Sequence, residues 1–396
     1  MIRFVLSARL RVIVISYALK MLIGNRASCI GVIFGIFLAT LLISQQSAIF
    51  LGLLSRSYRI VTDISEPTIW VMDPATESED KLRSLPLGYL DVVRGSKGVQ
   101  WAVPLNSALL PIITPAGKFD ICQLYGIDDA TLIGAPSKMI EGSVHDLRRE
   151  GGVIVDQYSA KGILAVIGKN DTVRPLKVGD SLEINGKRSV VVGICEATQG
   201  FYPQPIIYSS FSQFQTFVPG MFNKMNFVLA KENQWANVNE VCDNINLYQG
   251  LHALTKEQFQ DRIMQFFLGT GILINFGLSV ALGIVIGFSI AGQIFYIMTL
   301  ENIAYYALIK AIGGTEKMIF KMIVCQAILV GVVGYIIGTG ITVLWGMAIK
   351  NTTLAFVFPW QLLLFTFSIV FVICVFTAAL SIQKVFRTDP KMLMGS

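Results

Sequence analysis

The sequence predicts an α-helical membrane protein with four transmembrane helices and a large α+β extracytoplasmic domain inserted between the first and second of them. Three observations support this fold class. The composition is 53% hydrophobic and only 15% charged, whereas soluble chains are about a quarter charged. Four long stretches carry no charged residue, and most of the charged residues lie in one long segment after the first stretch.

The four uncharged stretches are each long enough to cross a bilayer, since a helix needs about 20 apolar residues to span the hydrocarbon core. The first is too long for the apolar region of a signal peptide, which has about 7–15 residues. The stretches are residues 27–55, 263–300, 322–349 and 351–383. They predict the four transmembrane helices, the second with an extension outside the membrane.

Charge asymmetry predicts the topology of the chain. The insertion, residues 56–262, holds 20 Lys/Arg against 23 Asp/Glu, whereas the rest of the chain holds 12 Lys/Arg and 3 Asp/Glu. Because short loops rich in Lys and Arg stay in the cytoplasm, both termini, the loop 301–321 and the tail 384–396 are predicted to be cytoplasmic. The insertion is predicted to be extracytoplasmic.

Residues 1–26 alternate apolar and basic side chains at helical spacing. This pattern is typical of a helix that lies in the membrane interface on the cytoplasmic side. The alternative is an ordinary basic leader that only fixes the orientation of the first transmembrane helix.

The insertion begins and ends with a strand–helix–strand pattern, which predicts a split α/β module of ferredoxin-like kind around a β-rich subdomain. The β-rich part is expected over residues 122–209, with a two-residue hairpin turn at Asn185-Gly186. The two flanking units are predicted from strand 68–72, helix 81–94 and strand 99–103, and from strand 225–230, helix 235–247 and strand 251–254. Strands are expected within the β-rich part at 153–155, 181–184 and 189–193.

The second uncharged stretch, residues 263–300, is longer than a bilayer requires. As one helix it would be about 57 Å long, nearly twice the thickness of the hydrocarbon core. Its outer end, 263–274, is therefore predicted to pair with residues 50–58 as a stalk below the extracytoplasmic domain.

Pairs of glycines four residues apart indicate helix-packing faces, because missing side chains let helix backbones approach closely in lipid. The predicted packing glycines are Gly31, Gly35, Gly283, Gly287, Gly334 and Gly338.

Several classes of function are disfavoured by what the sequence lacks. The four uncharged stretches contain no ionisable groups except thiols and tyrosines, which argues against an ion-coupled pump. No phosphate-binding loop, HExxH or GxSxG motif occurs. We therefore expect no catalysis and no directly bound cofactor or metal. Cys122, Cys195 and Cys242 of the insertion are expected to be separate buried thiols.

The loop between the second and third stretches contains a short predicted helix. Tyr305, Tyr306 and Ile309 would provide an aromatic-aliphatic face, and Gly313-Gly314 would end the helix. Such a helix can insert into a groove of a partner protein. The alternative is a capped connector between two transmembrane helices.

This loop resembles the cytoplasmic signature of the FtsX-like or MacB-type permeases of ABC transporters, in which a Glu precedes a short helix that ends in a basic-Ala-Ile-Gly motif. Here these residues are Glu301 and Lys310-Ala-Ile-Gly313. In that family the helix docks on a separate ATPase. The resemblance therefore implies that the ATPase-coupling residues are Glu301, Tyr305, Tyr306, Lys310, Gly313 and Gly314.

The resemblance covers the whole chain. Asn25-Arg26 matches the family's basic entry to the first helix, and Asp389-Pro390 matches an Asp-Pro after the fourth. Gln326 stands where most relatives have Glu. Residues 307–313 and 207–211 look most like the DevC group, whose permeases work with an ATPase, a periplasmic adaptor and an outer-membrane duct.

The resemblance implies a non-catalytic permease subunit in the bacterial inner membrane, surrounded by lipid and without a nucleic-acid partner. It is expected to be a homodimer, with ATP and Mg bound by the partner ATPase and a periplasmic adaptor and outer-membrane duct completing an export system. Alternatives are an FtsX-like scaffold that controls cell-wall hydrolases and a LolC/LolE-like subunit that extracts lipoproteins. The cargo is not predicted.

Overall fold

The computed structural model describes residues 20–22, 24, 26–115, 117–167, 173–311, 313–349, 352 and 354–387. Most of the predicted interfacial helix and most of the tail 384–396 lie outside the described residues, as do Asn25 and Asp389-Pro390. The chain divides into two units, one of Met1–Leu53 and Gly271–Ser396 and the other of Leu54–Thr270.

The helices are α1 Arg26–Ser57, α2 Arg59–Asp63, α3 Tyr89–Gly95, α4 Gln157–Lys161, α5 Phe211–Phe217, α6 Val238–Asn246, α7 Lys256–Gly269, α8 Ile272–Glu301, α9 Ile303–Ala311, α10 Glu316–Ala348 and α11 Trp360–Arg387. The strands are β1 Ile69–Met72, β2 Leu85–Pro86, β3 Val99–Ile113, β4 Phe119–Ile127, β5 Lys138–Gly142, β6 Gly152–Asp156, β7 Val166–Ile167, β8 Val173–Arg174, β9 Ser181–Ile184, β10 Lys187–Glu196, β11 Ile206–Ser210, β12 Lys224–Met225, β13 Phe227–Glu232 and β14 His252–Thr255.

The first unit is a helical bundle. Among the described residues, four helices are long and apolar enough to cross a membrane: α1, α8, α10 and the part Trp360–Ser381 of α11. The predicted set of four transmembrane helices is thus confirmed. The buried core of the helical bundle combines side chains of α1, α8, α10 and α11 with Tyr306 of the short helix α9.

The stretch 263–300 is not one helix, in contrast to the prediction. Helix α7 ends at Gly269 and α8 begins at Ile272. Gly271 between them has φ +82°, a left-handed conformation that glycine adopts without a steric penalty. The predicted stalk segment 263–274 is therefore divided between two helices. On the membrane side of this break, the rings of Phe50 on α1 and Phe276 on α8 lie 5.4 Å apart.

The second unit contains the predicted ferredoxin-like module. Its four strands lie in the order β14-β1-β13-β3, and every neighbouring pair is antiparallel. Helices α3 and α6 connect the strands of the two split units and bury Val93, Val241 and Ile245 against the sheet. The strands of the two strand–helix–strand units alternate in this sheet. β13 lies between β1 and β3 of the first unit, and β1 lies between β13 and β14 of the second.

Two predicted boundaries in this module are wrong. The helix predicted at 81–94 begins only at Tyr89, because Leu85 is buried in β2 and pairs with Met225. The strand predicted at 99–103 continues to Ile113, because its second half pairs with strands outside the module.

The β-rich subdomain is a closed barrel. The pairings run β3-β4-β11-β6-β10-β9 and return from β9 to β3 through Ile112 and Ile184. Leu110, Leu124 and Val155 belong to the buried interior. The hairpin between β9 and β10 turns at Asn185-Gly186, where both φ angles are positive, as predicted. Because closure leaves the ring without free edges, this subdomain is a compact body attached to the module through β3.

The cysteines of this unit do not pair. Cys122, Cys195 and Cys242 are all free and buried, as predicted. Burial raises the pKa of the Cys122 and Cys242 thiols to about 12, so these groups are unreactive at neutral pH.

Candidate functional site

Two glycines, Gly313 and Gly314, terminate helix α9. The backbone N–H of Gly314 donates to the carbonyl oxygen of Ile309 at 2.8 Å, and that of Gly313 donates to Lys310 at 3.1 Å. Gly313 has φ +96°. These are the two hydrogen bonds and the left-handed residue of a Schellman motif. They set the residue at which α9 ends and the direction in which the chain enters α10.

Gly314 also has no room for a side chain. A Cβ atom there would lie 2.7 Å from the carbonyl oxygen of Ile309 and 2.5 Å from its Cγ2. Each of the two predicted glycines is therefore required for a different reason. Gly313 has a positive φ, and Gly314 lies too close to Ile309 to carry a side chain.

The two tyrosines of α9 lie on different sides of the helix, so the predicted shared aromatic face is wrong. Tyr305 is 60% exposed, whereas Tyr306 is 1% exposed and belongs to the core of the bundle. Neighbouring helical residues are about 100° apart around the axis. The outward side of α9 instead presents Tyr305 and Leu308, which is 55% exposed. Sequence reasoning missed Leu308, although its spacing of three from Tyr305 could have identified it.

Tyr306 attaches α9 to the bundle. Its hydroxyl donates a hydrogen bond to Oε1 of Gln326 on α10 at 3.2 Å, and both side chains are buried. Asn302, also buried, separates α8 from α9 and uses its side-chain Nδ2 to bond the carbonyl oxygen of Met298 at 2.8 Å. Helix α9 therefore has one side fixed to the bundle and the other side exposed.

The charged residues of the loop make local contacts. Nζ of Lys310 lies 3.3 Å from Oε1 of Glu316. Oε2 of Glu301 accepts a hydrogen bond from the Ser28 hydroxyl at 3.2 Å, which joins the end of α8 to the start of α1. An exposed ion pair such as Lys310–Glu316 contributes about 0–1 kcal/mol, so we assign this pair a role in orientation more than in stability.

All six predicted packing glycines lie against another transmembrane helix. A Cβ atom on Gly287 would overlap Cβ of Ala39, and one on Gly338 would lie 2.7 Å from Cβ of Thr40. Gly31, Gly35 and Gly283 likewise face the α1–α8 contact, and Gly334 faces the α1–α10 contact.

A hydrogen bond of 2.7 Å between the Ser44 and Thr342 hydroxyls also joins α1 to α10. Helix α1 therefore packs closely on both α8 and α10.

In the part of the chain that the structure describes, no group of three or more His, Cys, Asp or Glu side chains is placed to hold a metal ion.

Two family models match the chain. The model of the MacB-like periplasmic core domain matches residues 28–244, more than half of the chain, and the model of the FtsX-like permease C-terminal part matches residues 277–390. The second match contains the complete loop with Glu301, α9 and the glycine pair.

Three solved structures are similar to about half of the chain. The periplasmic region of MacB from Actinobacillus actinomycetemcomitans is 14% identical, with 51% of this chain and 95% of that chain covered and a TM-score of 0.37. The extracellular domain of the noncanonic ABC-type transporter YknZ from Gram-positive bacteria is 13% identical (48% and 100% covered, TM-score 0.36). A domain of a putative permease from Porphyromonas gingivalis is 11% identical (48% and 88% covered, TM-score 0.33).

Proposed function

The chain belongs to the family of ABC transporter permeases with an FtsX-like C-terminal part and a MacB-like periplasmic core domain, and from this we propose that it couples a separate ATPase to export. The observation that carries the proposal is the geometry of α9. Its exposed side presents Tyr305 and Leu308, and its buried side is fixed to α10 through Tyr306.

The exposed side of α9 suits a groove on a partner, since an aromatic and an aliphatic side chain three residues apart can insert together. When the ATPase subunits close on ATP, they would push on this side. Because Tyr306 bonds Gln326, the push would reach α10 and would not be absorbed by a flexible loop.

The movement would then pass to α1, which packs on both α8 and α10 at the glycine contacts and is joined to the end of α8 by Ser28 and Glu301. Helix α1 leads into the extracytoplasmic domain through α2. In this mechanism the cargo need not cross the helical bundle.

Family membership supports an ATPase partner, and we propose the rest of the assembly from the resemblance to MacB- and DevC-type permeases. Two copies of the chain would bind two ATPase subunits, which hold the ATP and Mg, in the bacterial inner membrane with both termini in the cytoplasm. A periplasmic adaptor and an outer-membrane duct would complete an efflux system of the MacB or DevC type.

Co-purification of the detergent-solubilised chain with its cognate ATPase tests the docking surface. We expect Tyr305→Asp combined with Leu308→Asp to abolish co-purification, because it places two charges on the exposed side of α9. Tyr248→Asp is the matched control, since Tyr248 is 46% exposed in the extracytoplasmic unit. If the double variant still binds the ATPase like the wild type, the docking surface lies elsewhere. If the wild type binds no ATPase, the proposed function itself fails.

The proteins that co-purify further separate the branches of the family. An adaptor supports efflux. A cell-wall hydrolase supports the scaffold, and a lipoprotein carrier supports lipoprotein extraction.

A further inference from the structure

Helix α2 follows α1 after the single residue Tyr58 and carries a charged residue at each end, of which Arg59 is buried and Asp63 is partly buried. Arg59 is 6% exposed, and its Nη2 lies 3.2 Å from Oε1 of Glu79, whose side chain is 8% exposed. Asp63, one turn later, accepts hydrogen bonds from the Thr198 backbone N–H at 3.0 Å and the Thr198 hydroxyl at 2.7 Å. Burial raises the pKa of Asp63, an effect that these hydrogen bonds oppose.

The Glu79 carboxylate connects Arg59 to the β-barrel, because it contacts both Arg59 and Tyr125. Its Oε1 also accepts a hydrogen bond from the Tyr125 hydroxyl on β4. The ring of Tyr125 lies 5.6 Å from Cζ of Arg59 and 5.3 Å from the ring of Tyr208 on β11. One guanidinium on α2 is thereby linked to two neighbouring strands of the barrel.

The backbone closes tightly around this guanidinium. A Cβ atom on Gly200, in the segment after β10, would lie 2.9 Å from Nε of Arg59. The cleft beside Arg59 and Glu79 has a volume of only about 20 Å³, which holds about one water molecule. The space is therefore too small for a cargo molecule, and the cluster joins parts of the protein.

Stability alone does not explain a buried charged network here. Buried ion pairs are often no more stabilising than apolar side chains of the same volume, and apolar contact is non-directional. Hydrogen bonds between a guanidinium, a carboxylate and a phenol, by contrast, set the distance and the orientation of the groups they join. A network of this kind holds α2 in one position on the barrel.

We propose that the network of Arg59, Glu79 and Tyr125, here called the α2 joint, passes movement of α1 to the β-barrel, with Arg59 as its positioning residue. This inference rests on the proposed function, since it requires an ATP-driven movement of α1. It names the place where that movement enters the extracytoplasmic domain.

The test uses the full chain reconstituted in nanodiscs with its cognate ATPase. Hydrogen–deuterium exchange is measured with and without ATP plus vanadate, on peptides covering β4 and β11. In the wild type we expect nucleotide to change the exchange of these strands. In Arg59→Met combined with Glu79→Leu, which exchanges the ion pair for apolar side chains, we expect the basal ATPase rate to stay the same and the nucleotide-dependent change to disappear.

Arg174→Met combined with Asp180→Leu is the matched control, because this pair is also bonded, at 2.7 Å, but more exposed. It should keep the nucleotide-dependent change. A role in stability alone would lower the unfolding temperature of the Arg59/Glu79 variant and leave the nucleotide-dependent change intact.

The outcomes separate the two proposals. If the wild type binds its ATPase but shows no nucleotide-dependent change in β4 and β11, the α2 joint is overturned, whereas the proposed function fails if the wild type binds no ATPase. If the wild type and the Arg59/Glu79 variant respond equally, the α2 joint is overturned. Should that variant fail to fold, Tyr125→Phe decides, because it removes only the hydroxyl that bonds Glu79. A reduced response in Tyr125→Phe supports the joint, and an unchanged response overturns it.

Discussion

The hydroxyl of Tyr306 donates a hydrogen bond to Oε1 of Gln326 at 3.2 Å inside the helical bundle. The contact joins the short helix α9 to the transmembrane helix α10. A neutral amide accepts the same hydrogen bond without the cost of burying a carboxylate, so in this chain the link is made by a neutral pair.

Tyr306→Phe removes the donor of this hydrogen bond. We expect it to lower the free energy of unfolding of the bundle by about 0.5–1.5 kcal/mol and to weaken stimulation of the ATPase. Thermal unfolding in detergent measures the first effect. Tyr305→Phe is the control, since Tyr305 is exposed and its hydroxyl should contribute little. Equal shifts in the two variants would contradict the assigned roles.

Gly338→Leu should destabilise the bundle, whereas Gly340→Leu should not. A Cβ atom on Gly338 would lie 2.7 Å from Cβ of Thr40 and 3.0 Å from the carbonyl oxygen of Phe37, whereas a Cβ atom on Gly340 would meet nothing within 4 Å. Overpacking of this kind costs about 1–3 kcal/mol. The midpoint of thermal unfolding in detergent tests the difference, and two equally stable variants would show that α1 and α10 separate easily.

Gly313→Val should weaken co-purification with the ATPase, and Gly313→Asn should largely retain it. The φ of +96° at this position disfavours a β-branched residue, whereas Asn tolerates positive φ better than other residues with a side chain. The expected cost of Val is about 1–2 kcal/mol, borne by the end of α9. If both variants bind the ATPase normally, the termination of α9 does not matter for docking.

The stability of the extracytoplasmic unit should depend on pH through the titration of His252. Burial, and secondly the charge of Arg262, lower the pKa of His252 from 6.5. The folded state therefore binds a proton less readily than the unfolded state, and the free energy of unfolding should fall as the pH drops through this value. Thermal unfolding between about pH 7.5 and about pH 5.5 measures the slope.

His252→Gln should flatten this slope, and Arg262→Gln should reduce it, because the latter removes only the secondary cause. An unchanged slope in His252→Gln would assign the dependence to another group.

Much of the fold could be predicted from local patterns. The four transmembrane helices, the hairpin turn at Asn185-Gly186 and the order of strands and helices in the ferredoxin-like module follow from composition and spacing within short segments. The candidate site was predicted in part. Gly313 and Gly314 end α9, but the division between Tyr305 and Tyr306 needed the position of α10, because the sequence of α9 does not state which side the bundle covers.

The sequence by itself determined which segments enter the membrane, because an uncharged apolar run is stable there wherever its neighbours lie. Only the tertiary structure decided that Ile112 pairs with Ile184 to close the barrel and that Arg59 meets Glu79 and Tyr125. These contacts join residues that are far apart in the sequence. The hydrogen-bond partner of a buried charge or of a strand edge is the group that the folded chain places next to it, so the local sequence does not identify that partner.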